Sequence, residues 1–171
     1  MTIIETPVLI VGGGPAGLTT AAALARYGID HLLVNKYEGT AHTPRAHIVN
    51  QRTVEIMRHP MANCAQTVFE PMLRNAAESI GANLRFGHEF LGFEEAGDFQ
   101  LSHIRVRATG EEYTVKSRHL IGADGARSKV LELAGLTVEG RAAMSHAVNI
   151  WFRADLTKYL AHRPGVLIWN V

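Results

Sequence analysis

Residues 8–36 read VLIVGGGPAGLTTAAALARYGIDHLLVNK. With Pro7 before it, the run to Val11 is short, continuous, apolar and rich in β-branched residues. That is the pattern of a strand buried on both faces. Gly12 to Gly14 form a turn. Pro15 follows at a position where a first helical turn tolerates a residue without an N–H. The small-residue run predicts a helix to about Tyr27, ended by Gly28. HLLVN, residues 31–35, predicts a second strand. The unit is β-α-β, and its crossover is expected to be right-handed.

Gly12, Gly14 and Gly17 fit G-x-G-x-x-G between that strand and that helix. Gly12 permits the tight turn, Gly14 lets the backbone approach a pyrophosphate, and Gly17 lets the helix lie close to the strand. The helix start offers unpaired N–H groups and partial positive charge to phosphates. The context is that of a dinucleotide site. Its second strand usually ends in an acidic residue that accepts from a ribose hydroxyl. Here Asn35 stands instead, with a carbonyl acceptor and no charge, followed by Lys36. A neutral residue before a cation also suits the 2′-phosphate of NADP. On this stretch FAD, NAD and NADP all stay open.

Working outward, the chain has 171 residues, 47% hydrophobic and 19% charged. Those values describe a globular chain of one domain, or one domain with part of a second. A net charge of +1 gives no field to recruit nucleic acid or an anionic membrane. The single cysteine, Cys64, excludes an internal disulfide, fits a reducing compartment and reads as an ordinary thiol. The start, MTIIETPVLIVGGG, has no basic segment and carries Glu5, so no secretory leader is expected. No apolar run approaches the roughly 20 residues of a membrane span. A cytoplasmic protein is expected. None of the nine histidines stands in metal-ligand spacing, and no G-x-S-x-G elbow occurs.

After Lys36 the sequence predicts a loop, KYEGTAHTPRA, and a short helix near 51–58 with Asn50 as N-cap. Arg45 falls in that loop, near the carboxyl ends of the strands, where ligands of open α/β sheets sit. Its guanidinium suits either a pyrophosphate or a surface salt bridge. HPMANC is a connector to a long helix, AQTVFEPMLRNAAESIG, ended by Gly81. Val68, Met72 and Ala76 predict a stripe of that helix packed on the sheet, and Pro71 predicts a kink in its first turns. The period then changes to two. NLRFG, HEFLGFEEA, SHIRVRAT and EYTVKS alternate apolar with polar residues, divided by Gly97-Asp98 and Thr109-Gly110, and the later ones predict an antiparallel meander. HLIGADGARS predicts a short buried strand and a turn. Gly125 suits a positive φ, Asp124 suits the loop backbone or a ribose, and Ser128 suits the cap of a helix at SKVLELAG. AVNIWFRAD and GVLIWN read as further strands, with Trp151 and Trp169 as core.

VGGGPAGL, TPRAHIVNQRTVEIMR, QTVFEPMLRNAAESIGANLRFGHEFLGFE and HLIGADGARSKV occur in this order in flavin-dependent aromatic hydroxylases. The chain resembles that family: single-component FAD monooxygenases of the phenol and para-hydroxybenzoate hydroxylase type, nearest the chlorophenol and polyketide hydroxylase branch. The resemblance implies an α/β fold. Residues 1–140 would be a Rossmann-like FAD-binding domain with a β-meander crossover, and 141–171 part of a mostly antiparallel substrate-domain sheet. It implies FAD as cofactor, NAD(P)H as co-substrate and O₂-dependent hydroxylation of a small phenolic substrate. By resemblance Gly12, Gly14, Pro15, Ala16 and Gly17 cradle the pyrophosphate, and Asn35 and Lys36 meet the adenosine ribose. Arg45, Gln66, Asp124 and Gly125 complete the site. Phe90 matches a position whose backbone faces adenine, and it equally suits a core.

Family chains are longer. They carry an insert where this sequence has HPMANC, and a later GD motif, whose aspartate holds the ribityl chain, has no counterpart here. The resemblance therefore implies a chain truncated relative to the family, with no catalytic base assigned. Two other readings stand beside it. One is a catalytically inactive FAD-binding remnant or interaction module. The other is an NADP-dependent reductase, suggested by Asn35-Lys36 and opposed by PRAHIVNQRT and the DG pair. Homo-oligomerisation is left open, and no nucleic-acid or membrane partner is expected.

Overall fold

The computed structural model describes residues 2–43, 64–140, 148, 150 and 152–162. In chain order these carry β1 (Thr2–Val11), α1 (Pro15–Arg26), β2 (His31–Asn35), α2 (Gln66–Ser79), β3 (Leu84–Phe86), β4 (His88–Ala96), β5 (Phe99–Val106), β6 (Glu112–Gly122), α3 (Lys129–Leu133) and α4 (Thr157–Leu160). Residues Met1–Thr137 form one compact unit and Val138–Val171 a second.

The six strands make one sheet in the order β3-β2-β1-β6-β5-β4. β1 pairs in parallel with β2 and β6, and β2 in parallel with β3. β4, β5 and β6 form an antiparallel meander. The chain is therefore α/β, a Rossmann-like unit joined to a meander, as its two periodicities predict.

Why β1 and β2 read as unbroken apolar runs is visible in their two faces. Leu9, Val11, Leu32 and Val34 join Phe90, Ile104, Tyr113, Val115 and Val130 in one core cluster. Val8, Ile10 and Leu33 join Leu18 and Ala21 of α1 in the other. Alternate side chains serve opposite clusters, so neither face can be polar. The sheet curls enough to bring β4 near β2, four places away in strand order. The hairpin β4–β5 thus covers one face of the parallel strands, and α1 covers the other.

β1 is longer than the apolar run suggests. Thr2–Thr6 extend it and pair with Tyr113–Ser117. Pro7 stands where β2 has not yet begun, so on that side the strand is an edge, and an edge tolerates a residue without an N–H. β6 is likewise one strand of 11 residues, where the sequence reads as two. It serves the meander through β5 and the parallel layer through β1. α1 ends at Arg26, and Gly28 follows with φ +68° in its terminating position.

The stripe expected on α2 is wrong. Val68 and Met72 are 55% and 61% exposed, and Ala76 is exposed too. The inward face carries Glu70 and Ala77, both buried, and Leu73, which packs on the α1-side core. A polar residue marks that face because its carboxylate finds donors inside, so apolar spacing alone selected the wrong side. α2 continues past Pro71.

The expected helix at 51–58 with its Asn50 cap, the strand at 165–170, Trp151 and Trp169 lie outside the described residues. Of AVNIWFRAD, Val148, Ile150 and Phe152–Asp155 are described and belong to no strand; α4 follows. No helix among the described residues is long and apolar enough to cross a membrane.

Candidate functional site

The carboxyl ends of β1, β2 and β6 converge on the start of α1. Gly12 N–H donates to the Val34 carbonyl at 2.9 Å, and Ala123 N–H donates to the Val11 carbonyl at 2.7 Å. The glycine turn is thereby pinned between its two neighbours.

Its glycines are required for different reasons. Gly12 has φ +116°, and a Cβ there would overlap the Ala123 carbonyl. The loop bearing Asp124-Gly125 lies directly against the turn, so two motifs far apart in sequence are in contact. A Cβ on Gly17 would overlap the Gly12 carbonyl, because α1 is pressed onto the turn. Gly14 differs. Its φ is −83°, and its Cβ would meet only Glu70 Oε1, at 3.8 Å, an ordinary contact. Neither conformation nor packing demands glycine at 14. A side chain there would stand at the N-terminus of α1, beside Glu70.

That N-terminus has no side-chain cap, carries Pro15 in its first position and holds no acidic residue in its first turn. The N–H groups of the first turn and the positive end of the helix dipole suit an anion there. The residues present therefore fit a diphosphate.

Asn35 is buried at the end of β2. Its Oδ1 accepts Gly13 N–H at 3.3 Å, and its Nδ2 donates to the Tyr37 carbonyl at 3.3 Å. It straps the turn to the loop after β2. A carboxylate could not donate to Tyr37, which accounts for asparagine where an acidic residue is usual. The two bonds leave one Oδ1 lone pair and one Nδ2 hydrogen for a ligand. A Cβ on Gly13 would lie 2.9 Å from Asn35 Cγ. The extra glycine of the turn and the unusual asparagine are one feature.

Lys36 is exposed. Its ammonium lies 5.3 Å from the centre of the Tyr37 ring, and its carbonyl accepts from Arg107 at 3.1 Å. Gln66 opens α2, and its Nε2 donates to Glu70 Oε1 at 2.5 Å. Asp124 is engaged in capping α3. Its Oδ1 accepts from Ser128 Oγ at 2.5 Å, and its Oδ2 accepts Lys129 N–H at 2.7 Å and Val130 N–H at 3.3 Å. Ser128 Oγ in turn accepts Leu131 N–H at 3.0 Å. Gly125 has the expected positive φ, +86°. Phe90 is a core residue, its ring stacked 6.5 Å from that of Phe93. Arg45 lies outside the described residues.

The structure thus groups Gly12–Gly17, Asn35 and the Asp124 loop around the start of α1. The side chain that sequence reasoning missed is Glu70, 2% exposed. Its signal was the spacing Gln66, Glu70, Leu73, Ala77, one helical face, obscured because two of the four are polar. Away from the turn, His88 Nδ1 and Tyr113 Oη share a hydrogen bond of 2.9 Å between β4 and β6. Burial, then the charge of Arg85, holds the His88 pKa below its ordinary value. Burial raises that of Tyr113, and Arg85 opposes the rise. Among the described residues no group of three His, Cys, Asp or Glu side chains could hold a metal ion.

The pattern of the family described as FAD binding domain matches residues 5–60 and 59–171. The chain belongs to that family. It is 39% identical to a 2,4-dichlorophenol 6-monooxygenase of Cupriavidus pinatubonensis, over 98% of this chain and 37% of the relative. It is 32% identical to a phenol 2-monooxygenase of a Pseudomonas species, over 96% of this chain and 34% of the relative. Among solved structures it resembles the flavin-dependent monooxygenase PieE, determined with FAD and substrate. That likeness has a TM-score of 0.87 and 42% identity over 94% of this chain and 37% of PieE. The chain spans little more than a third of these proteins. The dichlorophenol alignment runs over 221 positions against 171 residues here. Together with the break in the family match at 59–60, it puts an internal gap at HPMANC, where the resemblance implied an insert.

Proposed function

We propose that this chain is the cofactor-holding part of an FAD-dependent aromatic hydroxylase acting on a phenolic substrate. Residues 1–140 would form the FAD-binding domain, and 141–171 the start of a substrate-binding sheet. The observation that carries the reading is Gly14. It stands without a side chain at an uncapped helix start, beside a turn held by Asn35 and the Asp124 loop. The first-turn N–H groups from Ala16 and Gly17, with Pro15 setting the helix entry, would hold the pyrophosphate. The spare Oδ1 lone pair of Asn35 would accept from a ribose hydroxyl, and Lys36 would stand at its solvent side. Gln66 and Arg45 would approach from the chain beyond β2. Asp124 and Gly125 would act mainly by shaping the loop that walls the turn, since the carboxylate already accepts three donors. Bound FAD would supply the redox chemistry, taking electrons from NAD(P)H and activating O₂ toward an aromatic ring.

A second reading is an FAD-binding module without hydroxylase activity. The missing positions near 59–60 favour it. An NADP-dependent reductase is disfavoured by PRAHIVNQRT and the DG pair, which belong to the hydroxylase pattern, and by the match to the FAD binding domain family. The test is purification with added FAD. Retained flavin absorbance, with NADPH oxidation accelerated by a phenol, supports the hydroxylase. Retained flavin without acceleration supports the module. A chain that keeps no flavin sinks both.

A further inference from the structure

Glu70 is a buried carboxylate to which the reading above gives no part. Its Oε2 accepts Ala41 N–H at 2.6 Å and its Oε1 accepts Gln66 Nε2 at 2.5 Å. Oε1 also lies 3.8 Å from the position a Cβ on Gly14 would take. One side chain thus meets the start of α1, the loop after β2 and the first turn of α2. Burying a carboxylate is unfavourable unless donors satisfy it, and here Ala41 N–H and the Gln66 amide do so. These two bonds therefore hold their donors in place.

An ionised carboxylate only accepts. It selects which end of the Gln66 amide faces it: the NH₂ group must, and the carbonyl oxygen turns away. A glutamine at position 70 would lift that selection. Its oxygen can take Ala41 N–H while its own NH₂ faces Gln66, which then presents its oxygen inward and its NH₂ outward. We infer that Glu70 is a positioning residue of the flavin site, fixing the Gln66 amide so that its carbonyl oxygen accepts from a hydroxyl or N–H of the bound dinucleotide. This rests on the flavin-binding reading.

The test is a double-mutant cycle on the whole chain, with FAD dissociation constants read by flavin fluorescence for wild type, Glu70→Gln, Gln66→Ala and the pair. Glu70→Gln is expected to weaken binding about tenfold, and by less than about twofold once Gln66 is alanine. Glu70→Asp, acceptor-only like glutamate, is expected to stay within about threefold of wild type, which keeps the test valid if Glu70→Gln does not fold. An equal loss in both backgrounds, no loss from Glu70→Gln, or an aspartate variant weakened about tenfold or more overturns the inference alone. Absence of FAD binding by wild type overturns the parent reading, and the inference with it.

Discussion

A single methyl group separates the roles of two glycines, one capping α1 and one within it. Gly17→Ala would drive a Cβ into the Gly12 carbonyl, backbone that cannot yield. The expected outcome is a chain that does not reach a cooperative fold, checked by urea unfolding. Gly14→Ala meets only an ordinary contact. It should cost the flavin-free protein no more than about 1 kcal/mol, the difference between glycine and alanine as N-cap, while abolishing flavin retention. Equal damage from both would show that Gly14 serves the fold and not a ligand. Asn35→Asp keeps the acceptor for Gly13 but sets a carboxylate against the Tyr37 carbonyl. It should lower stability by about 1–3 kcal/mol, and an unchanged urea midpoint would remove Tyr37 from the account. The glycine spacing was legible because it is a side-chain pattern. Asn35's strapping role was not, because its partners are backbone groups that any sequence supplies.

Among the elements, α3 shows how much a short helix depends on its cap. It has five residues, too few to stand by propensity, and Asp124 and Ser128 satisfy its first donors. Asp124→Ala should cost about 1–2 kcal/mol, read as a lower melting temperature without flavin. A loss of flavin affinity beyond that destabilisation would point to direct contact. The contact between β4 and β6 carries a pH signature. Because the His88 pKa in the fold lies below its ordinary 6.5, the unfolded chain binds the proton more readily. Stability from this group is full above about pH 6.5 and is lost as pH falls through the folded value. Melting temperatures from pH 8 to 5 should therefore fall less for His88→Gln than for wild type. β2 and the meander were legible from their periods. α2's buried face was not, since Glu70 reads as a solvent residue until Ala41 is brought beside it. β6 read as two strands because Arg118 and His119 interrupt its pattern where it passes from one partner layer to the other.

For the whole molecule, the two core clusters share the same strands, so strain on one face reaches the other. A ligand at the α1 start would lie beside the ends of β1, β2 and β6, which are already joined there by backbone bonds. FAD at a hundred times its dissociation constant should therefore add about 2.7 kcal/mol to stability, seen as a rise in melting temperature that tracks FAD concentration. A flat melting curve would mean that no flavin binds at this level. The pairing of β1 with β6 also orders events in time. The turn at 12–17 leaves the ribosome early, but the strand and carbonyl that wall it, at 112–123, leave on the order of ten seconds later at roughly 5–20 residues per second. Until then its glycines have nothing to press against, and an interrupted chain carries the motif without the shape. In a nascent protein the proposed nucleotide cradle is completed from behind, so cofactor capture there would begin only once residues 112–123 have been made.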